Sequence, residues 1–141
     1  MHANPYLQRL DEEIHSAGPV ELVVILHRAL AARICEARDA LSAGDAPRRA
    51  AAVSQAIAIV GELAQSLRPE AGPALAGRLR SLYAFLVERL LEANANQSHA
   101  PLGDALRVAS VLAEAWSAIS QANAMPQPVS SQEAVHLSCC G

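Results

Sequence analysis

Two Glu-x-x-His pairs are the residues whose type and spacing could hold a metal ion. They are Glu12 with His15 and Glu133 with His136. Helical bundles that bind two iron ions use such a pair on each of two helices, together with two further glutamates that face inward. Here one pair precedes the apolar segments and the other follows them, and the segments between carry leucine and alanine at the inward positions. The sequence therefore predicts no metal site.

Patterns for other kinds of catalysis are also missing from the sequence. Gly72 and Gly77 lie five apart without the lysine of a phosphate-binding loop, and the chain contains no lysine at all. No serine or cysteine stands near a plausible base. His27 lies on an apolar helix face, where we expect a partly buried polar tip rather than a metal ligand. We therefore predict a protein that is not an enzyme and needs no cofactor.

Composition indicates an all-α protein. Of 141 residues, 52% are apolar but only 3% are aromatic, and the commonest apolar residues, alanine and leucine, favour helices over strands. The net charge is −3 and the arginines are scattered among glutamates, which predicts no nucleic-acid partner. The N-terminus lacks the basic and apolar regions of a signal peptide, and the longest apolar run, residues 22–26, is too short to span a bilayer. We therefore expect a cytoplasmic protein without membrane insertion.

Four amphipathic segments are separated by proline, glycine and polar residues. They cover residues 20–41, a stretch from Asp45 that ends before Pro69, residues 73–95 and residues 101–122. Short connections favour sequential helices that pack side by side in alternating directions. We predict an antiparallel four-helix bundle over residues 19–122, a short helical cap segment within residues 1–18, and a disordered tail over residues 123–141.

The third segment is apolar over more of its circumference than a single core-facing stripe requires. Its main seam is Leu75, Leu79, Leu82, Leu86, Leu90 and Ala93. A second row, about 100° round the helix, consists of Tyr83, Val87, Leu91 and Asn94. The fourth segment has an inner face predicted to contain Leu102, Leu106, Ala109, Leu112, Trp116 and Ile119. The second row could complete the interior of the bundle, form a homodimer contact, or bind a partner helix.

Three patches of the sequence lie at Asn4-Pro5-Tyr6, residues 16–30 and residues 82–94. In this order and spacing they resemble the FliS family of flagellin-export chaperones over residues 4–119. Asn4-Pro5-Tyr6 is similar to the opening of the family, and residues 16–30, SAGPVELVVILHRAL, resemble its first core helix. Residues 82–94, LYAFLVERLLEAN, resemble its most specific signature. His27 departs from this pattern, because the family usually has tyrosine there.

The resemblance implies an antiparallel helical bundle that binds the C-terminal region of flagellin, prevents its premature polymerisation and delivers it to components of the flagellar type III export gate. It also implies that the N-terminal segment packs on the bundle and is displaced by flagellin. A regulatory adaptor for another flagellar component, such as an anti-sigma factor, is the alternative.

The residues we predict to contact the partner come from the N-terminal segment and the first three helices. They are Tyr6, Leu7, Leu10, His27, Ile57, Val60, Leu63, Tyr83, Val87, Leu91 and Asn94. If Tyr83 and Leu91 line an open groove, aspartate at either position should weaken flagellin binding without loss of helical circular dichroism.

Overall fold

The computed structural model describes residues 19–67 and 72–124, so the predicted cap segment and most of the predicted tail lie outside the described residues. Four helices make up this part of the chain: α1 (Pro19–Ala43), α2 (Ala46–Gln65), α3 (Pro73–Asn96) and α4 (His99–Ala124). The described ranges contain no strand. The predicted all-α helical bundle is thus confirmed, and α4 continues two residues into the segment that we expected to be tail.

Local sequence signals account for where the helices begin and end. Asp45 is the N-cap of α2, and its side chain accepts a hydrogen bond from the backbone N–H of Arg48 at 3.1 Å. Pro47 and Pro73 lie in the first turns of α2 and α3, where the missing N–H costs no helical hydrogen bond. Gly44 adopts a φ of 72°, which ends α1 in a conformation that glycine tolerates best.

Each helix contacts two others, so that α1 packs on α2 and α4, and α3 packs on the same two helices. α1 and α3 therefore lie diagonally opposite each other across the core. Polar contacts that join neighbouring helices include Arg28 to Ser117 at 3.0 Å, Arg49 to Asn94 at 2.9 Å, and Arg89 to Asp104 at 3.8 Å. Each joins an earlier part of one helix to a later part of its neighbour, as expected for antiparallel packing.

The core consists mainly of aliphatic side chains, with leucine and isoleucine filling space and alanine allowing the helices to approach closely. Leu30, Ile34, Leu63, Leu86, Leu90 and Leu102 are completely or almost completely buried. Most of the predicted inner face of α4 is buried or half-buried, but Ile119 is 43% exposed. Ala105 and Ala113, which were not predicted for this face, are also buried. The core of α4 therefore lies on a slightly different face from the one expected.

The buried face of α3 is also rotated from the predicted seam. Leu79, Leu86, Leu90 and Ala93 are buried as expected, but the remaining buried positions are Ala76 and Tyr83. Leu75 is 53% exposed and Leu82 is half-buried. The observed spacing alternates strictly between three and four residues, which keeps one stripe facing the core. Tyr83 therefore belongs to the core and not to an exposed second row.

Replacing Asp45 with alanine should lower the free energy of unfolding by about 1 kcal/mol, because the first turn of α2 loses its side-chain acceptor. Urea unfolding followed by circular dichroism measures the change. Glu114→Ala, at an exposed position within α4, is the matched control and should change stability by less than about 0.5 kcal/mol. Equal stability of Asp45→Ala and the control would show that the cap contributes nothing.

Candidate partner-binding surface

His27 and Tyr83 form a buried hydrogen bond that crosses the core between the diagonal helices α1 and α3. The distance from the Tyr83 hydroxyl to His27 Nε2 is 3.2 Å, and His27 Nδ1 lies 2.9 Å from the Val23 carbonyl oxygen. Since a carbonyl oxygen can only accept, Nδ1 carries the proton and donates. In the neutral ring Nε2 is then the acceptor, and the Tyr83 hydroxyl donates to it.

Burial keeps both groups of this pair neutral. The side chain of His27 is completely buried and that of Tyr83 is 3% exposed. Burial lowers the pKa of His27 to about 4, although the hydrogen bond to the Val23 carbonyl opposes this shift. Burial also raises the pKa of Tyr83 to about 12. The expectation of a partly buried polar tip at His27 was wrong, because the imidazole satisfies both its nitrogens inside the core.

Trp116 brings α4 into the same cluster. Its indole ring stacks on the His27 imidazole with an interplanar angle of 13° and 6.4 Å between ring centroids. The tryptophan is half-buried and packs against the core, in keeping with its predicted place on the inner face of α4. His27 thus contacts the ring of Tyr83 on α3 and the ring of Trp116 on α4.

A cavity of about 270 Å³ lies beside this cluster, at the end of the bundle where α1 and α3 begin and where α2 and α4 end. We call it the bundle-end cavity. Its lining is largely apolar and consists of Val20, Val23, Ser66, Leu67, Gly72, Leu75, Ala76, Leu79, Tyr83 and Trp116. Leu75 is 53% exposed, so a large apolar side chain at this end of the bundle is left in contact with water. The cavity is suited to receive one or two apolar side chains.

The structure separates the members of the predicted second row. Tyr83 is buried, Val87 is half-buried against the core, and Leu91 is 54% exposed. The half-buried Asn94 accepts a hydrogen bond from Arg49 Nε, and it therefore links α3 to α2. Only Leu91 among these four presents a large apolar surface to solvent.

On α2, the predicted contact residues lie mostly inside the bundle. Val60 is 2% exposed and Leu63 is completely buried, while Ile57 is half-buried against the core. Their packing accounts for the apolar pattern of α2 without a partner. Tyr6, Leu7 and Leu10 lie outside the described residues.

Several exposed apolar side chains were not among the predicted contact residues. Phe85 is 39% exposed with the Arg89 guanidinium 5.9 Å from its ring centroid, and Leu75, Val111 and Ile119 are also exposed. Leu75 and Ile119 fit the helical periodicity of the core, so their exposure was not visible in the spacing alone. Phe85 and Val111 lie away from the main apolar stripes of their helices, so their place in the sequence pattern already indicated that they would be exposed.

Metal binding and membrane insertion find no support in the described part of the chain. Over residues 19–67 and 72–124, no group of three or more His, Cys, Asp and Glu side chains is placed to hold a metal ion. No helix in those ranges is both long enough and apolar enough to cross a bilayer. Both Glu-x-x-His pairs lie outside the described residues.

The buried imidazole should make stability fall in acid. Above pH 6.5 His27 is neutral in both the folded and the unfolded chain, but between pH 6.5 and about 4 only the unfolded chain takes up the proton. The free energy of unfolding should therefore fall by up to about 1.4 kcal/mol per pH unit in this range, or about 3 kcal/mol in all. Urea unfolding at several pH values measures this slope.

Replacing His27 with glutamine removes the titrating ring and should flatten the pH dependence between 6.5 and 4.5, although it lowers stability at pH 7. His99→Gln is the control, because the side chain of His99 is exposed in the folded chain and its replacement should leave the slope unchanged. A slope that persists in His27→Gln would mean that other groups cause the acid sensitivity.

Comparison with known proteins gives a consistent family assignment. Residues 2–123 match the sequence model of the family described as flagellar protein FliS. A flagellar secretion chaperone FliS from Salmonella typhimurium is 31% identical over 112 residues, which cover 79% of this chain and 83% of that protein. A flagellar secretion chaperone FliSB from Pseudomonas aeruginosa is 29% identical over 111 residues, covering 79% and 88% of the two chains.

A third relative, flagellar secretion chaperone FliS from Vibrio cholerae, is 26% identical over 110 residues, which cover 78% of this chain and 81% of that protein. The family match includes all four helices and the His27–Tyr83–Trp116 cluster. The resemblance noted from the three sequence patches is thereby confirmed. This chain belongs to the FliS family of flagellar secretion chaperones, and it is a chaperone rather than an enzyme.

Proposed function

We propose that this protein binds the C-terminal region of flagellin in the cytoplasm, prevents its premature polymerisation and delivers it to the flagellar type III export apparatus. The observation that carries the proposal is the apolar surface at and around α3, in a chain whose relatives are named flagellar secretion chaperones. The terminal segments of flagellin form amphipathic helices in the filament. Before assembly, the apolar faces of those helices need a temporary partner.

The exposed apolar side chains supply a surface of the right chemistry for such a partner. Leu75, Phe85 and Leu91 lie on α3 and are 53%, 39% and 54% exposed. At about 100° per residue they project from different sides of the helix, and Leu75 and Leu91 are about 24 Å apart along it. Full burial of a leucine or phenylalanine side chain contributes about 1.5–3 kcal/mol, so a client segment that passes round α3 and covers several of them offsets part of its ordering cost. An amphipathic client helix that binds in a groove presents its own apolar contact residues at spacings of three and four.

Inside the bundle-end cavity, a client side chain would meet the apolar parts of Tyr83 and Trp116. The hydroxyl of Tyr83 is already occupied by His27, so this end of the cavity presents ring carbon rather than an unpaired polar atom. His27 and Tyr83 then act as positioning residues that hold the cavity wall from inside the core. His27 does not line the cavity, so its role in binding needs no direct contact with the client.

Residues 1–18 of the same chain compete with the client for this apolar surface. Residue 19 begins α1, and Val20 lines the cavity, so residues 1–18 are joined to the chain at its edge. We propose that Tyr6, Leu7 and Leu10 cover apolar surface in the free chaperone and that the client displaces them. Shielding of this kind would limit aggregation of the free protein, because large exposed apolar patches favour association.

Calorimetric titration of the full chain with a peptide from the flagellin C-terminal region tests the proposal. Leu91→Asp and Leu75→Asp should each weaken binding about tenfold or more, because each removes apolar contact and places a carboxylate against the client. Both side chains are largely exposed, so helical circular dichroism and thermal stability should remain close to those of the unmodified chain.

Val111→Asp is the matched control, because it makes the same chemical change at an exposed position on α4, away from the bundle-end cavity. Its affinity for the peptide should not change. The structure also revises the expectation for Tyr83→Asp, which would place a carboxylate in the core and should unfold the protein. Absence of measurable peptide binding by the folded, unmodified chain would contradict the proposal, and binding of an anti-sigma factor instead would favour the adaptor function.

A further inference from the structure

A groove between α1 and α4 lies toward the opposite end of the bundle from the bundle-end cavity. Its volume is about 540 Å³, and its lining consists of Arg38, His99, Gly103, Leu106, Arg107, Ser110 and Val111. We call it the α1–α4 groove. The groove takes residues from the end of α1 and the beginning of α4, whereas the bundle-end cavity takes residues from the beginning of α1 and the end of α4. The two sites therefore share no residue.

The ionisable side chains that line the α1–α4 groove are all basic. Arg38 forms no ion pair with another described residue. Arg107 pairs with Asp104, but that carboxylate also lies 3.8 Å from Arg89 and does not itself line the groove. The side chain of Arg107 remains 74% exposed, and the whole chain has a net charge of −3. The groove is thus a basic site on an acidic protein.

Gly103 gives this groove a floor without a side chain. It lies inside α4, where glycine costs about 0.5–1 kcal/mol relative to alanine. A Cβ at this position would meet no atom within 4 Å, so packing within the chain does not require glycine. Gly61 and Gly77 have the same open space, so the glycine alone does not indicate a partner; within the groove, however, Gly103 leaves the α4 backbone accessible to one.

The remaining lining of the groove is apolar and partly exposed. Leu106 is half-buried against the core, and Val111 is 64% exposed at the edge of the groove. A partner must therefore offer apolar side chains to Leu106 and Val111 and negative charge to Arg38 and Arg107. Glutamates beside a leucine stripe on one helix have this arrangement.

We propose that the α1–α4 groove docks an acidic amphipathic helix of a protein other than the flagellin client. Its carboxylates pair with the Arg38 and Arg107 guanidinium groups, its apolar residues cover Leu106 and Val111, and its backbone approaches α4 at Gly103. This second docking site would let the chaperone hold a client and contact another protein at the same time. The proposal does not depend on flagellin being the client.

Fluorescence anisotropy with three labelled synthetic peptides tests the charge requirement on the full chain. Each peptide is an amphipathic helix of about 18 residues, or five turns, with the same leucine stripe flanked by Glu, Gln or Lys. The Glu peptide should bind about tenfold or more tightly than the Gln peptide, and its affinity should fall as salt is added. Arg38→Glu combined with Arg107→Glu should reverse the order, so that the Lys peptide binds best.

Gly103→Leu tests the close approach without disturbing the fold. A Cβ at this position meets no atom within 4 Å, and leucine favours a helix more than glycine does, so the thermal midpoint should stay the same or rise, while affinity for the Glu peptide should fall about tenfold or more. Leu91→Asp should leave Glu-peptide binding unchanged and Val111→Asp should weaken it, the opposite of the pattern expected for flagellin. Equal binding of the Glu and Gln peptides, no binding of the Glu peptide, or unchanged Glu-peptide affinity in Gly103→Leu would each overturn the proposal.

Discussion

The hydrogen bond from Tyr83 to His27 joins α1 and α3, which lie diagonally opposite each other, inside a core made almost entirely of aliphatic side chains. A buried polar group without a partner costs free energy, so any rotation of α1 or α3 that separates these two residues is opposed. Trp116 extends the constraint to α4 by stacking on the imidazole. Aliphatic packing alone tolerates small rotations of helices, whereas this cluster favours one arrangement.

The position of the apolar surface follows from that arrangement. With Tyr83 turned inward, the stripe that completes the core of α3 runs through Ala76 and Leu79, and Leu75 and Leu91 remain partly in contact with solvent. The same aromatic rings close one side of the bundle-end cavity. The core cluster therefore contributes Tyr83 and Trp116 to the cavity wall, whereas His27 does not line the cavity.

The architecture could be predicted from the sequence because strong local signals marked the helices. Asp45, Pro47, Gly44 and Pro73 identify helix ends, and the predicted lengths agree with the structure to within a few residues. The exposed surface could not be predicted in the same way. Leu75 and Leu82 fit the helical periodicity of α3 as well as Ala76 and Tyr83 do. In the structure Ala76 and Tyr83 are the buried pair, and Tyr83 contacts His27 on α1. Periodicity carries no information about a contact so distant in sequence.

Trp116 offers the most direct test of the account, because it is the only tryptophan in the chain and it lines the bundle-end cavity. Its emission can be followed while a flagellin C-terminal peptide without tryptophan is added. If a client side chain enters the cavity, the emission should shift to shorter wavelength and quenching by acrylamide should decrease at saturation. Binding that is established by calorimetry but leaves both the emission and the quenching of Trp116 unchanged would contradict a client site at this end of the bundle.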